Sequence, residues 1–131
     1  MAQHSIDPEN LPYDPSKLPR KQDVTGPDFF AIDMRVGRVV EARPFPEARN
    51  PAYQLVVDFG PVVGRLQTSA QVTNYSTDEL IGRLVVGAIN LGIRRVAGFE
   101  SQFLVLGGLW PDGTVNLLSP DFDLPVGAVV A

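Results

Sequence analysis

The stretch Arg65-Leu-Gln-Thr-Ser-Ala-Gln-Val-Thr73 alternates along its whole length. In an extended chain successive side chains point to opposite sides, so Leu66, Thr68, Ala70 and Val72 share one face while Gln67, Ser69, Gln71 and Thr73 share the other. The first face suits a core. The second is polar, uncharged and rich in groups that both donate and accept hydrogen bonds. As a strand, this segment presents either an ordinary solvated face or a surface that holds a ligand through amides and hydroxyls.

The same texture extends in both directions. Upstream, Ala52-Tyr-Gln-Leu-Val-Val-Asp-Phe-Gly60 reads as a strand, joined to the first stretch by a turn through Gly60, Pro61 and Gly64. Before it, Met34-Arg-Val-Gly-Arg-Val-Val-Glu-Ala42 is β-branched and is stopped by Pro44 and Pro46. Downstream, Thr77-Asp-Glu-Leu-Ile-Gly82 predicts a short helix with Thr77 as its cap and Gly82 as its end. Strands are expected at Arg83–Asn90, Phe99–Leu106 and Thr114–Leu118, the last two joined through Pro111-Asp-Gly113. Many short strands, Gly/Pro turns and one helix between the third and fourth strands predict an all-β, closed or nearly closed five-stranded barrel. In such a barrel the face around strands two and three is where ligands lie.

With 131 residues there is room for one such core. Residues 1–26 stand apart from it: Pro8, Pro12, Pro15 and Pro19 break any regular element, which predicts a flexible Pro-rich tail followed by a domain over 27–131. The hydrophobic fraction of 44% is ordinary, and no apolar run approaches the roughly 20 residues that span a bilayer, so no membrane insertion is expected. Neither a basic leader nor an apolar stretch opens the chain, and it has no cysteine, which together predict a cytoplasmic setting.

Residues for catalysis are scarce. Cysteine is absent and His4 is the only histidine, so the domain has neither the base of a triad nor imidazole or thiolate ligands for zinc. The carboxylates are scattered over turns, as at Asp58, Asp78, Asp112 and Asp121, and Gly107-Gly108 is followed by no helix that would make a phosphate loop. A non-catalytic binding protein without cofactor or metal is expected.

Charge bears on what is bound. The net charge is −4, and from Pro27 onward eight arginines face eleven Asp and Glu, so the acidity belongs to the domain. That balance argues against strong non-specific nucleic-acid binding. Both lysines, Lys17 and Lys21, precede Gly26, so every base in the domain is an arginine, suited to bidentate contact with phosphate or carboxylate. Arg94-Arg95, in a stretch flanked by Gly92 and Gly98, reads as a solvated loop pair or as a clamp for such an anion.

Four ordered blocks carry a family likeness: Phe30-Ala-Ile-Asp-Met-Arg-Val-Gly-Arg-Val-Val-Glu-Ala42, Asn50-Pro-Ala-Tyr-Gln-Leu-Val-Val-Asp-Phe-Gly60, Thr68-Ser-Ala-Gln-Val-Thr73 and Val96-Ala-Gly-Phe-Glu-Ser-Gln-Phe-Leu-Val-Leu-Gly107. With Leu117-Leu-Ser-Pro-Asp121 and Leu124-Pro-Val-Gly127, they resemble the tRNA-binding-domain family, and within it the bacterial secretion-related chaperones. The resemblance implies an OB-fold with extra terminal strands that build a homodimer. It implies binding of unfolded or pre-secretory polypeptides in the cytoplasm. Relatives fused to aminoacyl-tRNA synthetases instead bind tRNA on the barrel face, where Ser69, Gln71, Asn90, Arg94 and Ser101 would fall. One departure is plain: Asn90-Leu-Gly-Ile-Arg94 stands where the family has Asn-Phe-Pro-Pro-Arg. Taken together, Gln67, Ser69, Gln71, Asn90, Arg94, Arg95 and Ser101 are the expected binding residues. The acidic balance favours a polypeptide ligand, with tRNA as the alternative.

Overall fold

The computed structural model describes residues 13–131. The expected tail therefore lies partly outside the described residues. Within it, residues 15–25 are exposed, but Tyr13 is buried and its N–H donates to the Pro111 carbonyl at 3.0 Å. The segment is thus pinned at Tyr13 to the turn that Pro111-Asp-Gly113 makes.

The core is a five-stranded antiparallel sheet in the order β3-β2-β1-β4-β7, where β1 is Met34–Pro44, β2 Tyr53–Asp58, β3 Arg65–Ala70, β4 Leu84–Ala88 and β7 Leu104–Val105. β1 is long enough to serve two partners, pairing β4 through Met34–Arg38 and β2 through Arg38–Pro44, with a register shift between Val39 and Glu41. A bulge of this kind bends the strand, and bending is what curls a sheet into a barrel. The curl leaves β3 facing β6 (Phe99–Ser101) and β7 across a seam without a ladder. One backbone bond and several side chains close it. The Gln102 N–H donates to the Gln67 carbonyl at 2.8 Å while Gln102 Oε1 accepts from the Gln67 N–H at 2.9 Å. Thr68 Oγ1 donates to the Phe103 carbonyl at 2.7 Å, and Ser101 Oγ accepts from the Ser69 N–H at 2.9 Å. This is an OB-fold barrel.

Inside, Leu55, Val57, Phe59, Val72, Leu80 and Val85 are buried to 1% exposure or less. Phe59 meets Phe103 edge-on with centroids 5.0 Å apart, a preferred aromatic geometry. Gly37 makes room for this: a Cβ there would come within 2.5 Å of Val57 Cγ1 and 2.8 Å of Phe59.

Several elements differ from the sequence-based expectation. The helix before β4 is α3, Thr77–Leu80, and its cap is Ser76, which forms a reciprocal capping box with Glu79. Two further short helices precede it: α1, Gly26–Phe30, started by a Thr25/Asp28 capping box, and α2, Gly60–Val63. The strand expected over Phe99–Leu106 breaks at Gln102 and Phe103, where the chain turns from β6 into β7. Arg94-Arg95 belongs to a strand, β5 (Arg94–Val96), hairpinned to β6 through Ala97 and Gly98. Both turn residues have positive φ, 47° and 80°, as the tight two-residue hairpin turn requires. β8 (Gly107–Leu109) and β9 (Val115–Leu117) form a second hairpin, and the C-terminal segment runs beside β1, where Val129 bridges to Arg35.

Candidate functional site

One face of the barrel opens into a cavity of about 670 Å³, within the range of ligand pockets. Its floor comes from the end of β3, the residues just beyond it and β9: Ala70, Val72 and Val115 are buried beneath it. Val96, Leu104, Leu106 and Leu109 form half-buried aliphatic walls. The polar part of the lining is Thr68, Ser69 and Gln71 on or just beyond β3, Arg94 from β5, and Arg49 and Asn50 from the β1–β2 connection. No Asp, Glu, Phe, Tyr or Trp lines it among the described residues.

Four arginines of the domain have an acid partner. Arg35 pairs with Asp33 at 2.7 Å, Arg38 with Asp123 at 2.8 Å and Arg95 with Glu100 at 2.6 Å, while Arg43 pairs with Glu41. Arg83 lies over the Tyr75 ring, 5.1 Å from its centroid. Among the described residues, Arg49, Arg65, Arg83 and Arg94 have no ion-pair partner, and of these Arg49 and Arg94 are exposed at the cavity. The domain's net negative charge therefore conceals a cationic site.

The seven expected binding residues separate in the same way. Ser69, Gln71 and Arg94 line the cavity. Gln67 does not; its Nε2 donates to the Glu100 carbonyl at 3.0 Å, tying β3 to β6. Ser101 is buried at 7% exposure and closes the seam at Ser69. Arg95 turns to the other face of β5, onto Glu100. Asn90 clamps the end of α1: Nδ2 donates to the Ala31 carbonyl at 2.8 Å and Oδ1 accepts from the Asp33 N–H at 2.8 Å. The sequence reading passed over Arg49 and Asn50. Their only signal was position, in the Pro-bounded connection between strands one and two that borders the binding face of such barrels.

Three carboxyls lie below their ordinary range, each mainly through a backbone N–H bonded to the carboxylate: Asp28 from Thr25, Glu79 from Ser76 and Asp112 from Thr114. They sit in caps and a turn, away from the cavity. No group of three His, Cys, Asp or Glu among the described residues is placed to hold a metal ion, and no described helix is long and apolar enough to cross a membrane.

A family model described as a tRNA binding domain matches residues 34–129. Among solved structures, the chain is similar to the chaperone CsaA from Bacillus anthracis, at 43% identity and a TM-score of 0.80, over 84% of this chain and 100% of that one. It is similar to the CsaA chaperone protein from Picrophilus torridus at 42% identity and a TM-score of 0.79, over 83% and 100% of the two chains. Among curated proteins, it is 37% identical over 103 residues to methionine–tRNA ligase from Flavobacterium psychrophilum. That match takes in 79% of this chain and only 15% of the ligase.

Proposed function

The chain belongs to the tRNA-binding-domain family, and from that premise we propose that it is a non-catalytic chaperone of the CsaA kind, holding unfolded or pre-secretory polypeptide segments in its barrel cavity. The observation that carries this reading is the lining: aliphatic floor and walls, polar groups at the rim, and no aromatic ring. Single-stranded nucleic acid is ordinarily held by stacking bases on aromatic side chains, and this cavity offers none. Aliphatic walls instead match the apolar side chains that an unfolded chain exposes. Such a protein acts in the cytoplasm, before export, and works as a homodimer. The dimer is supported by apolar surface that the described protomer leaves uncovered: α1 buries no residue, and Phe30 is 67% exposed. Sedimentation should give about twice 14.2 kDa.

The test is suppression of aggregation. Light scattering of a chemically unfolded client, diluted into a stoichiometric amount of the protein, should stay low. Ser69→Trp, which fills the cavity, should abolish this protection while the melting temperature holds. Protection by the filled variant equal to that by the parent protein rejects the cavity as the client site.

Arg49 and Arg94 favour a second reading, tRNA held by its phosphates. Two phosphate contacts predict a loss of roughly tenfold in affinity between about 50 and 200 mM salt. Binding of tRNA that persists at nanomolar strength in physiological salt, with clients left to aggregate, would establish this reading over the first.

A further inference from the structure

We infer that the cavity selects polypeptide segments in which aliphatic side chains are flanked by carboxylates, a specificity that rests on the polypeptide reading above and goes beyond it. The rim carries two guanidinium groups, Arg49 and Arg94, with no ion-pair partner among the described residues and no carboxylate in the lining. Elsewhere in the barrel the arginines of β1 and Arg95 of β5 have each taken an acid, and Arg65 of β3, which has none, stands outside the cavity, so what marks the rim is two unpaired arginines on one apolar cavity. Carboxylates abound on this surface, so a partner for Arg49 or Arg94 was available in composition and is missing in place.

A ligand that satisfies both parts of the site brings apolar groups to Val72, Leu104 and Leu106 and an anion to the rim. Arginine's planar fork binds carboxylate in a bidentate geometry that lysine cannot reproduce. The rim is solvent-exposed, so each pair adds modestly, and selection comes equally from repulsion of cationic flanks. The sign is diagnostic. A chain of net charge −4 attracts basic peptides through its overall field, so a preference for acidic flanks can arise only locally. A consequence follows for exported precursors: their basic leader ends are refused, and the protein grips acidic-apolar segments elsewhere in the chain.

The experiment measures fluorescence anisotropy of three labelled peptides with the same Leu-Leu-Val core, flanked by Asp, by Gly or by Lys, against the full chain at low salt. The Asp-flanked peptide should bind about tenfold more tightly than the Lys-flanked one. The preference should collapse in the double variant Arg49→Gln/Arg94→Gln, whose melting temperature should not change. Equal binding of all three peptides overturns the inference and leaves the polypeptide reading standing. Tighter binding of the Lys-flanked peptide, or a preference that survives in the double variant, also overturns it. If no peptide binds while tRNA does, and the double variant loses the tRNA, both readings fall and the arginines are phosphate contacts.

Discussion

The cavity rim and the seam behind it are built from the same few strands, yet they spend their polar groups differently. At the seam, Gln67, Thr68 and Ser101 each bond to a group on the opposing strand, and Phe103 supplies both a carbonyl to Thr68 and a ring to Phe59. At the rim, the side chains of Arg49 and Arg94 bond to nothing among the described residues. The contrast narrows to one residue in β5. Strand alternation sends Arg94 to the cavity and Arg95 to Glu100. A polar side chain opposite a strand that lacks a ladder partner is consumed in closing the barrel; one that faces open space stays available. Net charge is blind to this distinction, because it sums spent and available groups alike.

Removing the seam's ring should do the most damage. Phe103 is 4% exposed and packs on Phe59, so Phe103→Ala should cost about 3–5 kcal/mol in urea-induced unfolding. Ser101→Ala leaves the Ser69 N–H without its acceptor and should cost about 1–3 kcal/mol, with the acid-over-lysine peptide preference retained. If Ser101→Ala erases that preference at unchanged stability, Ser101 belongs to the rim and the division fails. A smaller effect tests the neighbours in β5. Arg95→Gln breaks an exposed ion pair and should change stability by no more than about 1 kcal/mol and peptide affinity by less than about twofold. A loss of affinity from Arg95→Gln as large as that from Arg94→Gln would show that the pair acts as one clamp.

The parts of this molecule that could be read from sequence are those governed by local period. The alternation of Arg65–Thr73 gave a strand and its two faces, and the Gly/Pro turns gave the order of the barrel strands. Register was invisible, and register decides the site. Gln67 and Ser69 look equivalent two residues apart, but Gln67 meets Glu100 while Ser69 opens on the cavity. The resemblance places Asn90 on the tRNA-facing surface, and in the structure its amide holds both ends of the Ala31–Asp33 bend. The β5–β6 hairpin was hidden because Ala97 takes a positive φ, which alanine seldom does. α3 was expected with the wrong cap: only Ser76 stands three residues before Glu79, the spacing a capping box needs.

That capping box extends the comparison to a third place where polar groups serve the fold. The Glu79 carboxylate accepts the Ser76 N–H at 2.8 Å and Ser76 Oγ accepts the Glu79 N–H at 3.1 Å. The backbone bond from Ser76 holds Glu79 below the ordinary glutamate range, with the Ser76 side chain next and Arg83 adding a little. A carboxyl depressed in the folded state contributes stability above its unfolded value, about 4.3, and loses it as pH falls through the folded value. The parent protein should therefore lose stability relative to Glu79→Gln over an acidic window that begins near that unfolded value and ends below the depressed one. Glutamine keeps the reciprocal cap but does not titrate there. Ser76→Ala, by contrast, should cost about 1 kcal/mol at neutral pH, the usual loss for a serine cap. NMR titration of the Glu79 carboxyl is the direct check. A midpoint at or above the ordinary glutamate value would mean that the box is open in solution, and α3 would then be held by Leu80 in the core alone.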